Sequence, residues 1–370
     1  MRIALAGPAH PYKGGAARHT TELAHRLTAA GHDVVIVSWR AQYPRRLYPG
    51  QQTVEVPEGE PYPRTRRVLA WYRPDGWLAT GRRLRTADLV VFALLTPIQV
   101  PAYLTIMAGL GRGAGQHGPR TAVICHNVLP HERRPGDVPL TRALLSRAGT
   151  VITHSAAQAA QARDLAPGAA VRTVTMPPHL PDTGPEDHDA ERARWPAPAH
   201  CRLLFFGIVR PYKGLDVLLR ALAGAPSRVT LTVAGEFWGG TSETERLIAE
   251  LGLAGRVTLR PGYVPARQIP ALFAAADALV MPYREATASQ NALLAFAHGV
   301  PVITTTAGAL AEAVRDGVDG LTCAPGDAED LRRALKEISD PRLARQLRAG
   351  IPPVDPDSGW PAYLRALLAG

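Results

Sequence analysis

The chain has 370 residues, 46% of them hydrophobic and 20% charged, a globular composition with length enough for two α/β domains. No apolar run reaches the roughly 18 residues of a membrane span, Cys125, Cys201 and Cys323 lack C-x-x-C spacing and suggest buried thiols rather than disulfides or zinc, and Met1 leads straight into a strand-like run with no room for an export signal, so a soluble cytoplasmic protein is expected. The net charge of +10 suits nucleic acid, an anionic membrane surface or phosphorylated small molecules, and without C2H2 spacing, an RNP-like strand or a long basic run no nucleic-acid partner is expected.

Short apolar, β-branched runs alternate with amphipathic stretches throughout, the pattern of βαβ units and a mainly parallel sheet. Residues 2–6 predict a strand, 16–30 a helix stopped by Gly31, and 33–38 a second strand. The basic stretch 64–85 interleaves Arg with Trp71, Tyr72 and Trp77. It reads as a solvated helix face, with contact to an anionic or membrane surface as the alternative. Strands expected at 88–93, 122–125, 151–153 and 171–175 complete a first domain over residues 1–180. Residues 176–200 are rich in Pro, Asp, Glu and Ala, and the linker between domains is placed at 181–200. Strands restart at 202–206, 229–234, 257–260, 278–281 and 302–305, in a second domain over 201–352. The pattern turns helical after Ile338, and the closing segment 353–370 carries a helix at 360–368.

Pro11-Tyr12-Lys13-Gly14 and Pro211-Tyr212-Lys213-Gly214 each follow the first strand of their domain and precede its first helix. Lysine occurs only at positions 13, 213 and 336, so two of the three fall in equivalent strand-to-helix loops. Such loops lie at the carboxyl edge of an open sheet, where ligands bind and helix N-termini offer N–H groups to anions. Neither loop has G-x-G-x-x-G or Walker A spacing, which argues against a dinucleotide dehydrogenase or an ATPase. Arg210 and Lys213 are candidates to clamp a diphosphate, and Gly14 and Gly15 allow close backbone approach to a ligand. The plainer alternative is a pair of tight turns with solvated lysines. His126 follows the apolar strand ending at Cys125, which points it to the carboxyl edge, with a structural imidazole as the alternative to substrate contact. His131 and Glu132 follow it as supporting partners or loop surface. In the segment 281–302, Ser289 is the expected N-cap of a helix and Gly299 its stop. Glu285, just ahead, is a candidate for sugar hydroxyls or simply solvated. The D-x-D matches at 187–189 and 355–357 lie in the linker and a proline-rich turn rather than after a strand, so no metal is predicted.

Taken together, Gly14-Gly15, His126-Asn127, G-I-V-R-P-Y-K-G-L-D at 207–216, L-A-F-A-H-G-V-P-V at 294–302, Gly308-x3-Glu312-x4-Gly317-x2-Gly320 and Pro325-Gly326-Asp327 resemble the retaining GT-B glycosyltransferases of family 4 over nearly the whole chain. The resemblance implies α/β architecture, two Rossmann-like doubly wound domains facing a central cleft, with the last helix crossing back to the first domain. It implies transfer of a hexose-type sugar, with retention, from a GDP- or UDP-linked donor to a small-molecule or lipid-linked acceptor. The nucleotide sugar is then a co-substrate, and no further cofactor is expected. By the same resemblance Arg210 and Lys213 clamp the donor diphosphate, Gly15 lies near donor and acceptor, and His126 lies close to the transferred sugar. The second domain holds the nucleotide and the first the acceptor. Two departures stand out. The family's clamp arginine directly follows the strand-end glycine, where this chain has Ile208, so Arg210 has to reach from two residues on. The family's paired glutamates fall at Ala286 and Leu294, which leaves Glu285, Ser289, Gln290 and Asn291 as polar contacts to the donor. Two rivals share the scaffold: a sugar-nucleotide 2-epimerase drawing acid/base carboxylates from Glu132, Glu236 or Glu285, and a catalytically silent partner protein.

Overall fold

The computed structural model describes residues 1–44, 51–57, 59–111, 118–181, 201–286 and 289–369. The expected linker, apart from Pro181, and the first D-x-D match lie outside these residues. The chain forms two compact units, one made of Met1–His179 with Pro356–Gly370 and the other of Leu180–Asp355.

In the first unit, strands β1 (Arg2–Ala6), β2 (Asp33–Ala41), β3 (Thr65–Ala70), β4 (Leu89–Leu94), β5 (Arg120–Cys125), β6 (Thr150–Thr153) and β7 (Val171–Thr173) alternate with helices α1 (Gly15–Ala29), α2 (Pro74–Arg83), α3 (Val100–Leu110), α4 (Asp137–Leu145) and α5 (Ala156–Leu165). All strands pair in parallel, in the order β3-β2-β1-β4-β5-β6-β7. The order turns back between β1 and β4, so the chain leaves these two strands toward opposite faces and opens a crevice at their carboxyl ends. The central strand β4 is buried at every position, which is why a parallel strand reads as an unbroken apolar run.

The stretch 64–85 is not one helix face. Its first part pairs with β2 as the edge strand β3, Trp71 and Tyr72 turn the chain, and α2 begins only at Pro74, which holds an opening position of the helix. Trp77 turns inward and its Nε1 donates to the Ala70 carbonyl at 2.8 Å. Helix α2 then meets α3 backbone to backbone. A Cβ on Gly81 would stand 2.2 Å from the Ile106 oxygen, and one on Gly109 2.8 Å from the Gly81 Cα.

The second unit repeats the plan with β8 (Cys201–Phe206), β9 (Val229–Gly235), β10 (Val257–Pro261), β11 (Ala278–Met281), β12 (Val302–Thr305) and β13 (Gly320–Cys323). Its helices are α6 (Leu215–Ala223), α7 (Ser242–Glu250), α8 (Ile269–Ala274), α9 (Asn291–Ala297), α10 (Leu310–Ala313), α11 (Ala328–Ile338) and α12 (Pro341–Ala349). The sheet is again parallel, ordered β10-β9-β8-β11-β12-β13, with its turning point between β8 and β11. Helix α11 buries Leu331, Ala334, Leu335 and Ile338 at helical spacing, and the Asp327 carboxylate caps it by accepting from the N–H groups of Glu329 and Asp330 at 2.9 and 3.0 Å. Such a cap contributes about 1 kcal/mol. Cys125, Cys201 and Cys323 are buried free thiols.

The closing helix α13 (Trp360–Leu368) belongs to the first unit, where Trp360, Tyr363 and Leu367 share a core with Ile3, Leu5 and Leu23. Asp357 of the second D-x-D match pairs with Arg26, and Trp360 Nε1 donates to the Pro178 carbonyl at 3.0 Å. Residues 176–179, read from composition as the start of the linker, are part of this packing, with Pro177 and His179 buried. Prolines there serve contact rather than spacing.

The glycine contact between α2 and α3 is directly testable. Gly81→Ala is expected to cost about 1–3 kcal/mol, read as a lower urea midpoint at unchanged m. Gly76→Ala, whose Cβ would meet only the Arg73 Cβ at 3.8 Å, should leave the midpoint unchanged or raise it.

Candidate active site

At the carboxyl edge of the second sheet, β8 runs into Gly207, whose φ of +103° is open to glycine alone. A Cβ there would lie 3.4 Å from Asn291 Nδ2 and 3.5 Å from Lys213 Nζ, so backbone, amide and ammonium converge at one point. Pro211–Lys213 forms a single 3-10 turn closed by Gly214 at φ +68°. A side chain at Gly214 would strike the Pro282 oxygen at 2.1 Å. The loop after β11 is strapped to this turn by Arg284. Its N–H donates to the Tyr212 carbonyl at 2.8 Å, and its guanidinium donates to the Pro211 carbonyl at 2.8 Å and to both oxygens of Asp216 at 2.8 and 2.6 Å.

Two cations stand in this frame on aromatic supports. The Arg210 guanidinium lies 4.1 Å over the Trp238 ring, and Lys213 Nζ lies 5.1 Å over the Tyr283 ring. Burial pulls the Lys213 pKa down; nearby Tyr212 opposes this and the Arg210 charge adds to it. A phosphate group relieves that mutual repulsion and offers the paired oxygens a guanidinium matches best. Asn291 is held by donating to the Phe206 carbonyl at 3.1 Å and the Tyr283 hydroxyl at 3.4 Å. Ser289 is not the N-cap of α9: Gln290 occupies that position, and the Ser289 hydroxyl accepts from the Asn291 N–H at 3.3 Å. Gln290 is half-buried and Glu285 exposed.

In the first unit, His126 follows β5 and His154 holds the equivalent place after β6. Gln158 ties the two strand ends together, donating through Nε2 to the His126 carbonyl at 3.1 Å and accepting the His154 N–H at 2.8 Å. His19, from α1, is 0% exposed. Its ring centre is 5.1 Å from that of His126, 6.3 Å from His154 and 5.3 Å from His179, and it also meets Trp360 at 5.7 Å and Tyr363 at 5.2 Å. His154 Nδ1 and His179 Nδ1 face the carbonyls of Val174 and Pro177 at 3.2 and 2.9 Å. A carbonyl only accepts, so these nitrogens carry the proton and each neutral ring keeps a lone pair on Nε2. Burial is the leading cause that lowers all four imidazole pKa values, to about 4 for His154, about 3 for His179 and well down for His19 and His126, where the neighbouring rings add repulsion. Gly15 opens α1 above this group, its notional Cβ 3.5 Å from His179 Nε2, and Gly14 precedes it at φ +90°.

The structure thus gathers Arg210, Lys213 and Asn291, with Ser289 bonded to Asn291, in one unit, and places Gly14, Gly15 and His126 in the other. The two Pro-Tyr-Lys-Gly runs do not share a conformation: in the first, Tyr12 forms an antiparallel bridge with Thr53 and the Lys13 N–H donates to the Gln52 carbonyl at 3.3 Å. Sequence reasoning passed over His19, His154 and His179, the Trp238 support and the Arg284–Asp216 strap. His154 had a signal, since it ends its strand as His126 does. The strap joins residues 68 apart and had none.

Residues 13–178 match the family model described as Glycosyltransferase Family 4, and residues 200–340 the one described as Glycosyl transferases group 1. The chain is similar to a glycogen synthase of Mycobacterium tuberculosis, 29% identical over 94% of this chain and 88% of that protein. It is also similar to D-inositol 3-phosphate glycosyltransferase 1 of Catenulispora acidiphila, 28% identical over 99% and 92%. Among solved structures its fold is similar to sucrose-phosphate synthase from Thermosynechococcus elongatus (TM-score 0.74, 21% identity, 94% and 92% covered) and to Anabaena HepE in complex with UDP and glucose (TM-score 0.72, 18% identity, 99% of each chain).

The buried imidazoles make stability depend on pH in a definite direction. Above the ordinary imidazole pKa, 6.5, folded and unfolded chains are both neutral at these positions. As pH falls from there toward 4, the unfolded chain takes up protons that the fold excludes, so stability is lost at about 1.4 kcal/mol per pH unit for each such histidine. Urea unfolding at neutral pH and at about pH 5 should show this fall, and His179→Gln should reduce its slope by one proton. A flat profile across that window would contradict the neutral cluster.

Proposed function

This chain belongs to the family 4, group 1 glycosyltransferases and has their GT-B fold, and from that premise we propose that it moves a hexose-type sugar, with retention of configuration, from a GDP- or UDP-linked donor to a small-molecule or lipid-linked acceptor. The observation that carries this reading is the pair of cations after β8, Lys213 beside Gly207 and Arg210 over the Trp238 ring, where the second sheet turns back on its order. The relatives named as a glycogen synthase and a D-inositol 3-phosphate glycosyltransferase support sugar transfer.

As the glycosidic bond breaks, the departing nucleoside diphosphate gains negative charge, and cations already in place there supply most of the catalytic effect. Arg210 presents paired donors to phosphate oxygens, and Lys213 adds a point charge. With two cations in this role the reading calls on no metal ion. Retention follows when the acceptor hydroxyl attacks from the face the diphosphate leaves and a phosphate oxygen takes its proton, which needs no protein nucleophile. The nucleotide belongs to the second unit, with Glu285, Ser289, Gln290 and Asn291 as polar contacts in place of the family's glutamate pair. The acceptor belongs to the first, where Gly14 and Gly15 admit close backbone approach. His126, kept neutral by burial, hydrogen-bonds a sugar or acceptor hydroxyl without bringing a charge to it.

Leu294 is buried among Phe273, Ala295 and Phe296, so the position of one family glutamate is apolar core. That favours, as the second reading, a silent partner that binds nucleotide without turnover. Thermal shift with GDP, UDP, ADP and TDP on the wild type and Lys213→Ala separates the cases. A diphosphate at a hundred times its Kd adds about 2.7 kcal/mol of stability, and selective stabilisation by one of the four, lost in the variant, is expected. Stabilisation by none of them overturns the transferase. Stabilisation without acceptor-dependent nucleotide release moves the assignment to the silent partner. With donor and acceptor supplied, an excess of EDTA should leave the rate of nucleotide release unchanged.

A further inference from the structure

The open edge of the first sheet groups exposed side chains that a globular surface seldom collects. Strand β3 has a neighbour on one side only, and its register against β2 slips between the pairs Ser38–Arg67 and Trp39–Leu69, which leaves Val68 out of the ladder. Val68 is 42% exposed, Trp71 43% and Tyr72 48%. The rings of Trp71 and Tyr72 pack edge to face with centres 5.4 Å apart, so they stand as one body instead of folding back as Trp77 does. Beside them the Arg40 guanidinium reaches the Tyr72 hydroxyl at 3.5 Å, and Arg67 donates to the His10 carbonyl at 3.2 Å. Arg66 is exposed on the same strand. Arg64 and Arg73 are paired with Asp33 and Asp75, but among the described residues no carboxylate pairs with Arg40, Arg66 or Arg67.

Amphipathic rings with a polar tip, flanked by arginines whose charge is unmatched, have the composition that partitions to the headgroup level of a bilayer and draws anionic lipid. We propose that this strand edge docks the protein on an anionic lipid bilayer, with Trp71 and Tyr72 entering the headgroup layer and Arg40, Arg66 and Arg67 meeting the lipid charge. Among the described residues no helix is long and apolar enough to cross a membrane, so the contact is peripheral. Arg67 is anchored on His10, in the loop that leads to Gly14 and Gly15, which sets the bilayer on the acceptor side of the first unit. The inference goes beyond the transfer reaction, and lipid binding is read without turnover, so its failure leaves the donor assignment standing.

Cosedimentation of the full chain with vesicles tests it, using phosphatidylcholine with about one-third phosphatidylglycerol against phosphatidylcholine alone. The wild type should pellet with the anionic vesicles at low salt and stay in the supernatant with the neutral ones. Its bound fraction should fall with added salt, as the screening length drops toward about 3 Å at 1 M. The double variants Trp71→Ser/Tyr72→Ser and Arg40→Glu/Arg67→Glu should each lower the partition coefficient by at least about tenfold, with stabilisation by nucleotide unchanged. Arg342→Glu/Arg345→Glu, an equal charge change at exposed positions of α12, should bind as the wild type does. The proposal is overturned if the wild type ignores anionic vesicles, if both arginine pairs lower binding equally, or if the aromatic variant binds normally.

Discussion

Backbone laid directly on backbone governs the carboxyl edge of the second sheet. Parallel strands deliver all their chain ends to one edge of a sheet, so the loops that leave them compete for the same space. Here they share it by dispensing with side chains. A Cβ on Gly235 would stand 1.9 Å from the Gly207 oxygen, one on Gly214 2.1 Å from that of Pro282, and one on Gly308 2.0 Å from that of Ala286. All three glycines also hold positive φ, at 151°, 68° and 53°, which L side chains avoid. Because the loops lie this close, Lys213 and Asn291 reach the same glycine from different elements, and one arginine can brace two loops at once. The position of the Lys213 ammonium is thus tied to the glycines, where several loops have been drawn together.

The first unit solves the corresponding problem with imidazoles. Four histidines from a helix, two strand ends and the segment after β7 pack ring against ring, and the Nε2 atoms of His126 and His154 and both nitrogens of His19 are buried without a hydrogen-bond partner among the described residues. A buried polar atom left in that state costs about 1–3 kcal/mol, and such local violations concentrate where function requires them. The charges these rings sense are chiefly one another's, with Arg18 beside His179, and the carbonyls of Val174 and Pro177, which favour the protonated rings of His154 and His179, are outweighed by burial. The two units differ accordingly in what they hold at their strand ends: two cations in one and uncharged imidazoles in the other.

Most of the sheet architecture was legible because buried parallel strands are apolar at consecutive positions. Two strands were hidden for different reasons. Strand β3, reading Thr-Arg-Arg-Val-Leu-Ala, lies at an edge and is charged where the others are apolar. Strand β13 opens with Gly320, whose missing side chain makes room for the Val302 oxygen. Arg210, Lys213 and His126 were visible as single residues because each follows a strand. What supports them was not, since Trp238, Arg284 and His19 come from elsewhere in the chain and acquire meaning only through folding. The compositional reading of 64–85 as one solvated helix face merged a strand edge, a turn and helix α2, and set Trp77 at the surface although its ring turns inward, because alternating arginines and aromatics do not separate a helix face from a strand edge.

The closing helix has a further consequence, for the order in which the protein takes shape. His19 rests on Trp360 and Tyr363, so the core of the first unit includes residues synthesised after the whole of the second. Chains emerge from the ribosome N-terminus first, at about 5–20 residues per second, and the second unit, continuous from Leu180 to Asp355, has all its strands available before α13 exists. The unit made first is therefore completed last. During synthesis it waits with the apolar surface around His19, Ile3 and Leu23 uncovered until the final helix arrives to close it.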